Sequence, residues 1–326
     1  MTHDLIVRAQ SAFQKQTGRP GPRFTTLIGL EGSADAATVR LRSSATIGSD
    51  RHNSDNDAAF EAWSLVLRCW AGAERVVLDW EDVPDVLPAA NEQKYQQFLY
   101  RVANFSSLFD DWFIVSDPGR LERSATRRLD RPFYLNSAGA KEHPTGKGSP
   151  EDVLERALRN DPATLNRHLG FSHHCPPPAR QFPVGVFFEP VPSESSRLFP
   201  GGYIDLLCVD GPKIGVFELK AGGTPPIGTL SELLFYVSIV RDLVRKNFRI
   251  ENERENARLG IRKEALQDAD EIVGVMIGHQ LPTWLTHPLI FQTLNDAART
   301  RWSSPSVSFR ADRIEGDPAR FVAVAP

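Results

Sequence analysis

The sequence predicts an α/β protein of two domains. Three observations carry this. β-type runs alternate with stretches of helical periodicity along the chain. Its 326 residues exceed the usual size of one domain. One tract of small, polar and turn-forming residues, 136–150, carries no apolar periodicity and reads as a linker. The expected division is 1–135, linker 136–150, and 151–326.

In the first half, residues 25–30 and 38–42 read as strands, the second alternating apolar and charged side chains. Residues 58–71 read as a helix, with Ala58, Ala62, Leu65, Val66, Cys69 and Trp70 near one face. Residues 75–80 read as a buried strand, 93–108 as a helix and 112–115 as a strand. No motif in this half names an activity, so a recognition or regulatory role, with a partner protein or ligand, is what remains for it.

In the second half, a helix at 151–158 precedes strands at 184–188, 203–209 and 214–219. An amphipathic helix at 230–246, a buried strand at 272–278, a helix near 289–298 and short strands at 307–310 and 321–324 complete the order. No internal repeat is present.

Composition is that of an ordinary globular chain, 41% hydrophobic and 24% charged. A formal net charge of -3 excludes a general polycation, so any nucleic-acid contact needs a local basic surface. Three cysteines, Cys69, Cys175 and Cys208, read as reduced thiols and not as a disulfide framework. With no secretory layout at Met1–Leu5 and no run of membrane-spanning length, a cytoplasmic protein without a membrane partner is expected.

The chemically informative stretch is Tyr203 to Lys220. Two β-type runs flank Asp210-Gly211-Pro212-Lys213, so a hairpin is expected. A turn centred between Gly211 and Pro212 sets Asp205 opposite Glu218, and alternation puts Lys220 on Glu218's face. Opposed Cβ atoms lie about 4.5–5.5 Å apart, where two carboxylates among apolar neighbours repel. A hard divalent cation, Mg²⁺ or Mn²⁺, would offset that repulsion, and Lys220 would balance part of it.

This pattern resembles the PD-(D/E)xK nuclease superfamily, the restriction-endonuclease-like fold. Asp205 fills its first acidic position and Glu218-Leu219-Lys220 its second element, with Ile204 where the literal Pro would stand. The segment from Ser149 to Leu165 is similar to the first helix of NucS-type and Shedu-type nucleases, which carries a metal-site Glu. Glu151 aligns with Leu154 and Leu158 and is preferred for that role, with Glu155 read as lying off the stripe and kept as accessory. Glu232-Leu-Leu-Phe-Tyr236 resembles the family's Gln-x-x-x-Tyr motif with Glu in place of Gln, making Glu232 and Tyr236 further accessory candidates. The resemblance covers residues 149–278. It implies a mixed sheet flanked by helices, catalysis by Asp205, Glu218 and Lys220, and a metal held by Glu151, Asp205 and Glu218. It further implies endonucleolytic hydrolysis of DNA, RNA not excluded, in defence or repair, and allows a homodimer. Arg197 and a helical row of Arg241, Arg245 and Arg249 are candidate phosphate contacts.

Blander readings compete. Asp…Glu-x-Lys also occurs as a solvated ion-pair face, and the nuclease fold also serves as a non-catalytic nucleic-acid-binding or regulatory module. Ser149-Pro150-Glu151-Asp152 is a good helix start in its own right, and Thr229 with Glu232 reads as a capping box. Tyr236 reads equally as a core aromatic, and the arginine row as a solvated face. His168, His173, His174 and Cys175 lack a matching ligand pair and read as a loop cluster. Gly146-Lys147 does not have phosphate-loop spacing. The basic stretch at Arg120, Arg123, Arg127, Arg128 and Arg131 is balanced by nearby acids.

Overall fold

The structure, a computed structural model of the chain, describes residues 2–24, 28–48, 59–127, 132–135, 148–172, 175–221, 227–250, 261–315 and 320–325. It is a mixed α/β protein. The chain divides into two compact units that interleave along the sequence. Met1–Arg127, Pro226–Glu232 and Pro282–Ala297 form the first; Arg128–Pro225, Leu233–Leu281 and Ala298–Pro326 form the second. The single junction expected at 136–150 is therefore incomplete, because two later segments belong with the N-terminal unit. Residues 136–147 of that tract lie outside the described residues.

In the first unit a four-stranded sheet runs in the order β1 (Gly29–Gly32), β2 (Ala37–Leu41), β3 (Val76–Trp80), β4 (Phe113–Val115). The first pair is antiparallel and the others parallel. Helices α1 (Thr2–Thr17), α2 (Phe60–Val66) and α3 (Ala89–Leu108) accompany it, with α2 continuing as a π-helical turn, Leu67–Ala71. Residues 25–27 of the expected first strand lie outside the described residues. Aromatic packing explains why Pro282–Ala297 belongs here. Trp63 stacks on Trp284 at 6.3 Å between ring centroids, and Trp70 donates its indole N–H to the Trp284 carbonyl at 3.0 Å. Trp70 also meets His287 edge-on at 4.9 Å. Such rings each bury a large apolar area with defined geometry.

The second unit holds a three-stranded sheet, β10–β5–β7, and a six-stranded mixed sheet, β13–β12–β11–β9–β8–β6. The strands are β5 (Phe133–Leu135), β6 (Ala179–Pro183), β7 (Val186–Phe187), β8 (Tyr203–Asp210), β9 (Lys213–Lys220), β10 (Phe248–Ile250), β11 (Glu271–Gly278), β12 (Ser306–Glu315) and β13 (Arg320–Ala325). Of the strand expected at 184–188 only Val186–Phe187 forms, as β7, while β6 ends just before it at Pro183 and joins the larger sheet. β11 runs parallel to both β9 and β12, while β8 is antiparallel to β9 and β6. The helices that begin or lie wholly in the later half are α4 (Pro150–Asn160), α5 (Pro162–Leu169), α6 (Gly228–Val244), α7 (Lys263–Gln267) and α8 (Pro288–Arg301).

Local chemistry sets the start of α4 and both ends of α5. The Ser149 hydroxyl accepts the Asp152 N–H at 3.1 Å and Pro150 opens α4. Asp161 caps α5 and Gly170, left-handed, ends it. Leu154, Leu158, Leu165 and Leu169 pack with Leu206, Cys208, Phe217, Leu219, Val273, Val275 and Ile277 on one face of the large sheet. The other face is approached by α6: a Cβ at Gly274 would stand 2.7 Å from a Val237 methyl, so that strand position accepts no side chain.

Candidate active site

The hairpin forms as its sequence requires. β8 and β9 pair from Asp210 with Lys213 to Leu206 with Phe217. Gly211 takes φ +56° in the turn, a conformation open to glycine, and Pro212 follows with its ring-restricted φ. One step beyond the paired register stand Asp205 and Glu218. There the Asp205 carboxylate turns to the neighbouring backbone, Oδ2 accepting the Leu219 N–H at 2.7 Å.

Glu218 is 3% exposed, and Lys220 donates to its Oε1 at 2.6 Å. The same ammonium lies 4.0 Å from Glu151 Oε1, at the start of α4. A lysine on the last position of β9 thus links a buried strand carboxylate to a half-exposed helix carboxylate. Asp205 accepts a backbone amide and Glu218 an ammonium, and each bond offsets part of the repulsion expected between the two carboxylates. Charge-assisted bonds of this length are the strong kind.

Glu155 corrects the expectation drawn for α4. It is 4% exposed, not off the stripe. Positions 151, 154, 155 and 158 together make the broad i, i+3, i+4, i+7 face of an amphipathic helix, so Glu155 belongs to that face as much as Glu151 does. Its carboxylate accepts Arg180 Nε at 3.1 Å and Nη2 at 2.9 Å on one oxygen, and Gln181 Nε2 at 2.6 Å on the other. Burial raises its pKa, and the Arg180 and Gln181 bonds work against that rise. Arg180 also reaches Asp152 Oδ1 at 2.5 Å. Sequence reasoning missed Arg180 and Gln181; Gln181 holds a left-handed φ of +51°, which no residue pattern announces.

The candidate phosphate contacts separate. Arg241 is buried on α6 and lies over the Trp302 ring at 4.8 Å, so it is no solvated phosphate ligand in this arrangement. Arg245 is exposed just past the end of α6, and Arg249 is exposed on β10. The expected helical row is broken because the helix ends at Val244. Arg197 is engaged by Glu194, at 2.6 and 3.0 Å, and lies over Phe187.

Glu232 is buried and falls in the segment of the first unit, Pro226–Glu232. The capping-box reading does not match the helix start, since α6 opens at Gly228 and already contains Thr229. Tyr236 is buried with its ring 5.6 Å from that of Phe235, as a core aromatic would be. Of the His-Cys cluster, His173, His174 and the His168 side chain lie outside the described residues, as do Arg128 and Arg131.

Among the described residues no group of three or more His, Cys, Asp or Glu side chains is arranged as a ready metal cage. The donors near Lys220 are all carboxylate oxygens, which suit a hard divalent ion in kind. Comparison of the chain with family models, curated proteins and solved structures found no match. Among the described residues no helix is long and apolar enough to cross a membrane.

Proposed function

We propose that this chain is a metal-dependent nuclease that hydrolyses phosphodiester bonds in DNA, acting through the second unit. The observation that carries the reading is Lys220, whose ammonium stands 2.6 Å from Glu218 and 4.0 Å from Glu151. Asp205 is tied to the intervening Leu219 amide. A helix and two adjacent strands thereby bring three carboxylates and one amine to the end of a hairpin.

Asp205, Glu218 and Glu151 would hold Mg²⁺ or Mn²⁺, and a divalent ion there supplies Lewis acidity and offsets charge on the phosphate. Glu218, buried and 2.6 Å from the Lys220 ammonium, keeps that side chain aimed. Lys220 orients the attacking water and faces the developing phosphorane charge. Asp205, fixed by the Leu219 N–H, keeps its carboxylate at the strand edge instead of turning into solvent. The mixed sheet with helices on both faces supports the restriction-endonuclease-like reading, as does the length of the hairpin. The exposed Arg245 and Arg249 are the arginines of the proposed set best placed for phosphate. A role in defence or repair, a cytoplasmic location, a homodimer that cuts both strands, and recognition by the N-terminal unit belong to the same proposal.

The test is cleavage of linear, circular and single-stranded DNA with Mg²⁺ or Mn²⁺ by wild type, Asp205→Ala and Lys220→Ala. Metal-dependent cutting that falls by about 10²–10³-fold in each variant is the expected result. Wild-type protein that neither cuts nor gains thermal stability from either ion overturns the reading and favours a non-catalytic nucleic-acid-binding module.

A further inference from the structure

Two adjacent residues of β6, Arg180 and Gln181, converge on one carboxylate of α4. Glu155 is buried, and its oxygens accept Arg180 at 2.9 and 3.1 Å and Gln181 at 2.6 Å. Neighbouring side chains of a regular strand point to opposite faces, so a regular β6 could not bring both to the same group. The left-handed φ of Gln181, +51°, turns it back toward α4. Arg180 pairs with Leu206 and Phe182 with Ile204, so this turn of the backbone stands across from Asp205. Such a conformation at a non-glycine residue costs free energy and persists where surrounding contacts hold it.

Arg180 also reaches Asp152 Oδ1 at 2.5 Å, so β6 holds α4 by two of its carboxylates. Glu151 lies one residue before Asp152 and one turn before Glu155, and its own carboxylate stands 4.0 Å from Lys220 Nζ. The leucines beneath α4 supply burial, which has no preferred direction. A charge-assisted fork is directional, and it fixes where along and around its axis the helix sits. We propose that Arg180 and Gln181 are positioning residues for the site at Lys220: by holding Glu155 they set where α4 places the Glu151 carboxylate, and with it the affinity for the divalent ion. This inference rests on the metal-dependent nuclease reading. Groups that orient a metal ligand at one remove are worth about 10–100-fold in metal affinity, and a pair acting through one helix turn belongs at the lower end.

Mn²⁺ binding to the full-length protein is measured by electron paramagnetic resonance of the free ion, beside DNA cleavage as a function of Mn²⁺ and a thermal unfolding midpoint for each variant. The binding lost in Asp205→Ala marks what belongs to this site. Gln181→Gly keeps the left-handed backbone and removes the amide. Glu155→Leu with Arg180→Met replaces the buried ions by apolar side chains, an exchange that commonly preserves stability. Both are expected to weaken Mn²⁺ binding about tenfold and to raise the Mn²⁺ needed for half-maximal cleavage by the same factor, with the rate at saturating Mn²⁺ kept within about twofold. Arg180→Lys, which keeps the charge and loses the fork, should fall between these and wild type. Wild-type Mn²⁺ affinity in folded Gln181→Gly or in the double variant overturns the inference and leaves the nuclease reading standing. Wild-type protein that binds no Mn²⁺ overturns both. Gln181→Gly decides the question even if the double variant fails to fold.

Discussion

Lys220 Nζ and Glu218 Oε1 are 2.6 Å apart, two positions along one strand, with the lysine side chain 15% and the glutamate 4% exposed. Alternation alone puts them on the same face, since successive side chains of a strand point to opposite sides. A buried carboxylate loses its hydration, and an ammonium at this distance offsets part of that loss.

Removing the lysine should therefore cost stability as well as any chemistry. Lys220→Ala is expected to destabilise the protein by about 3 kcal/mol, since it removes the ammonium 2.6 Å from a buried carboxylate. Lys220→Met with Glu218→Gln should recover most of that loss. Urea unfolding of the single and double variants gives the coupling; additive effects of the two changes would show that the pair is not an energetic unit.

A second ion pair makes a matching case in the first unit. Arg101 donates to both oxygens of Glu61, at 2.8 and 2.6 Å, with both side chains nearly inaccessible. Glu61→Ala alone should cost about 3–5 kcal/mol, and Glu61→Gln with Arg101→Met much less. Thermal unfolding monitored by circular dichroism separates the two outcomes. Equal losses in both variants would mean that apolar packing, not charge, holds α2 and α3.

Gly274 predicts a packing penalty. Gly274→Ala places its methyl 2.7 Å from Val237 and 3.0 Å from Phe309, an overpacking worth about 1–3 kcal/mol. Adding Val237→Ala should return part of that loss. Unchanged unfolding midpoints in Gly274→Ala would show that α6 can move away freely.

His287 carries a pH dependence whose sign is set by its surroundings. Burial holds its pKa below the ordinary imidazole value, and its Nδ1 accepts the Leu289 N–H at 3.2 Å. Below about pH 6.5 the unfolded chain binds a proton that the folded ring resists. Stability is therefore full above that pH and declines as pH falls toward the folded pKa. Unfolding midpoints measured across this window should slope downward with acid in wild type and flatten in His287→Asn. Parallel slopes in the two proteins would remove His287 as the cause.

Much of the hairpin was legible from residues 203–220. Period-two alternation and a Gly-Pro turn depend on near neighbours, so they set strand, turn and register before any tertiary contact forms. The same holds for α4, whose Ser149 cap and Pro150 start are local. The end of α6 was less legible, because 245–249 continue an apparent helical row of arginines while the backbone leaves the helix after Val244. No periodicity pointed to a helix at Thr2–Thr17 or to the strand at Ala179–Pro183, and the strand expected at 184–188 shrinks to Val186–Phe187.

By itself, then, the sequence determined the α/β class, the pairing that brings Asp205 toward Glu218, and the shared face of Glu218 and Lys220. These follow from backbone geometry over a few residues. Tertiary structure alone decided that Arg180 and Gln181 grip Glu155, that buried Arg241 lies over the Trp302 ring, and that Cys175 and Cys208 share one apolar cluster. It also decided that Pro282–Ala297 joins the N-terminal unit through Trp284 and His287. Each of those outcomes depends on which distant side chains share a desolvated space, a quantity that no window of local sequence contains.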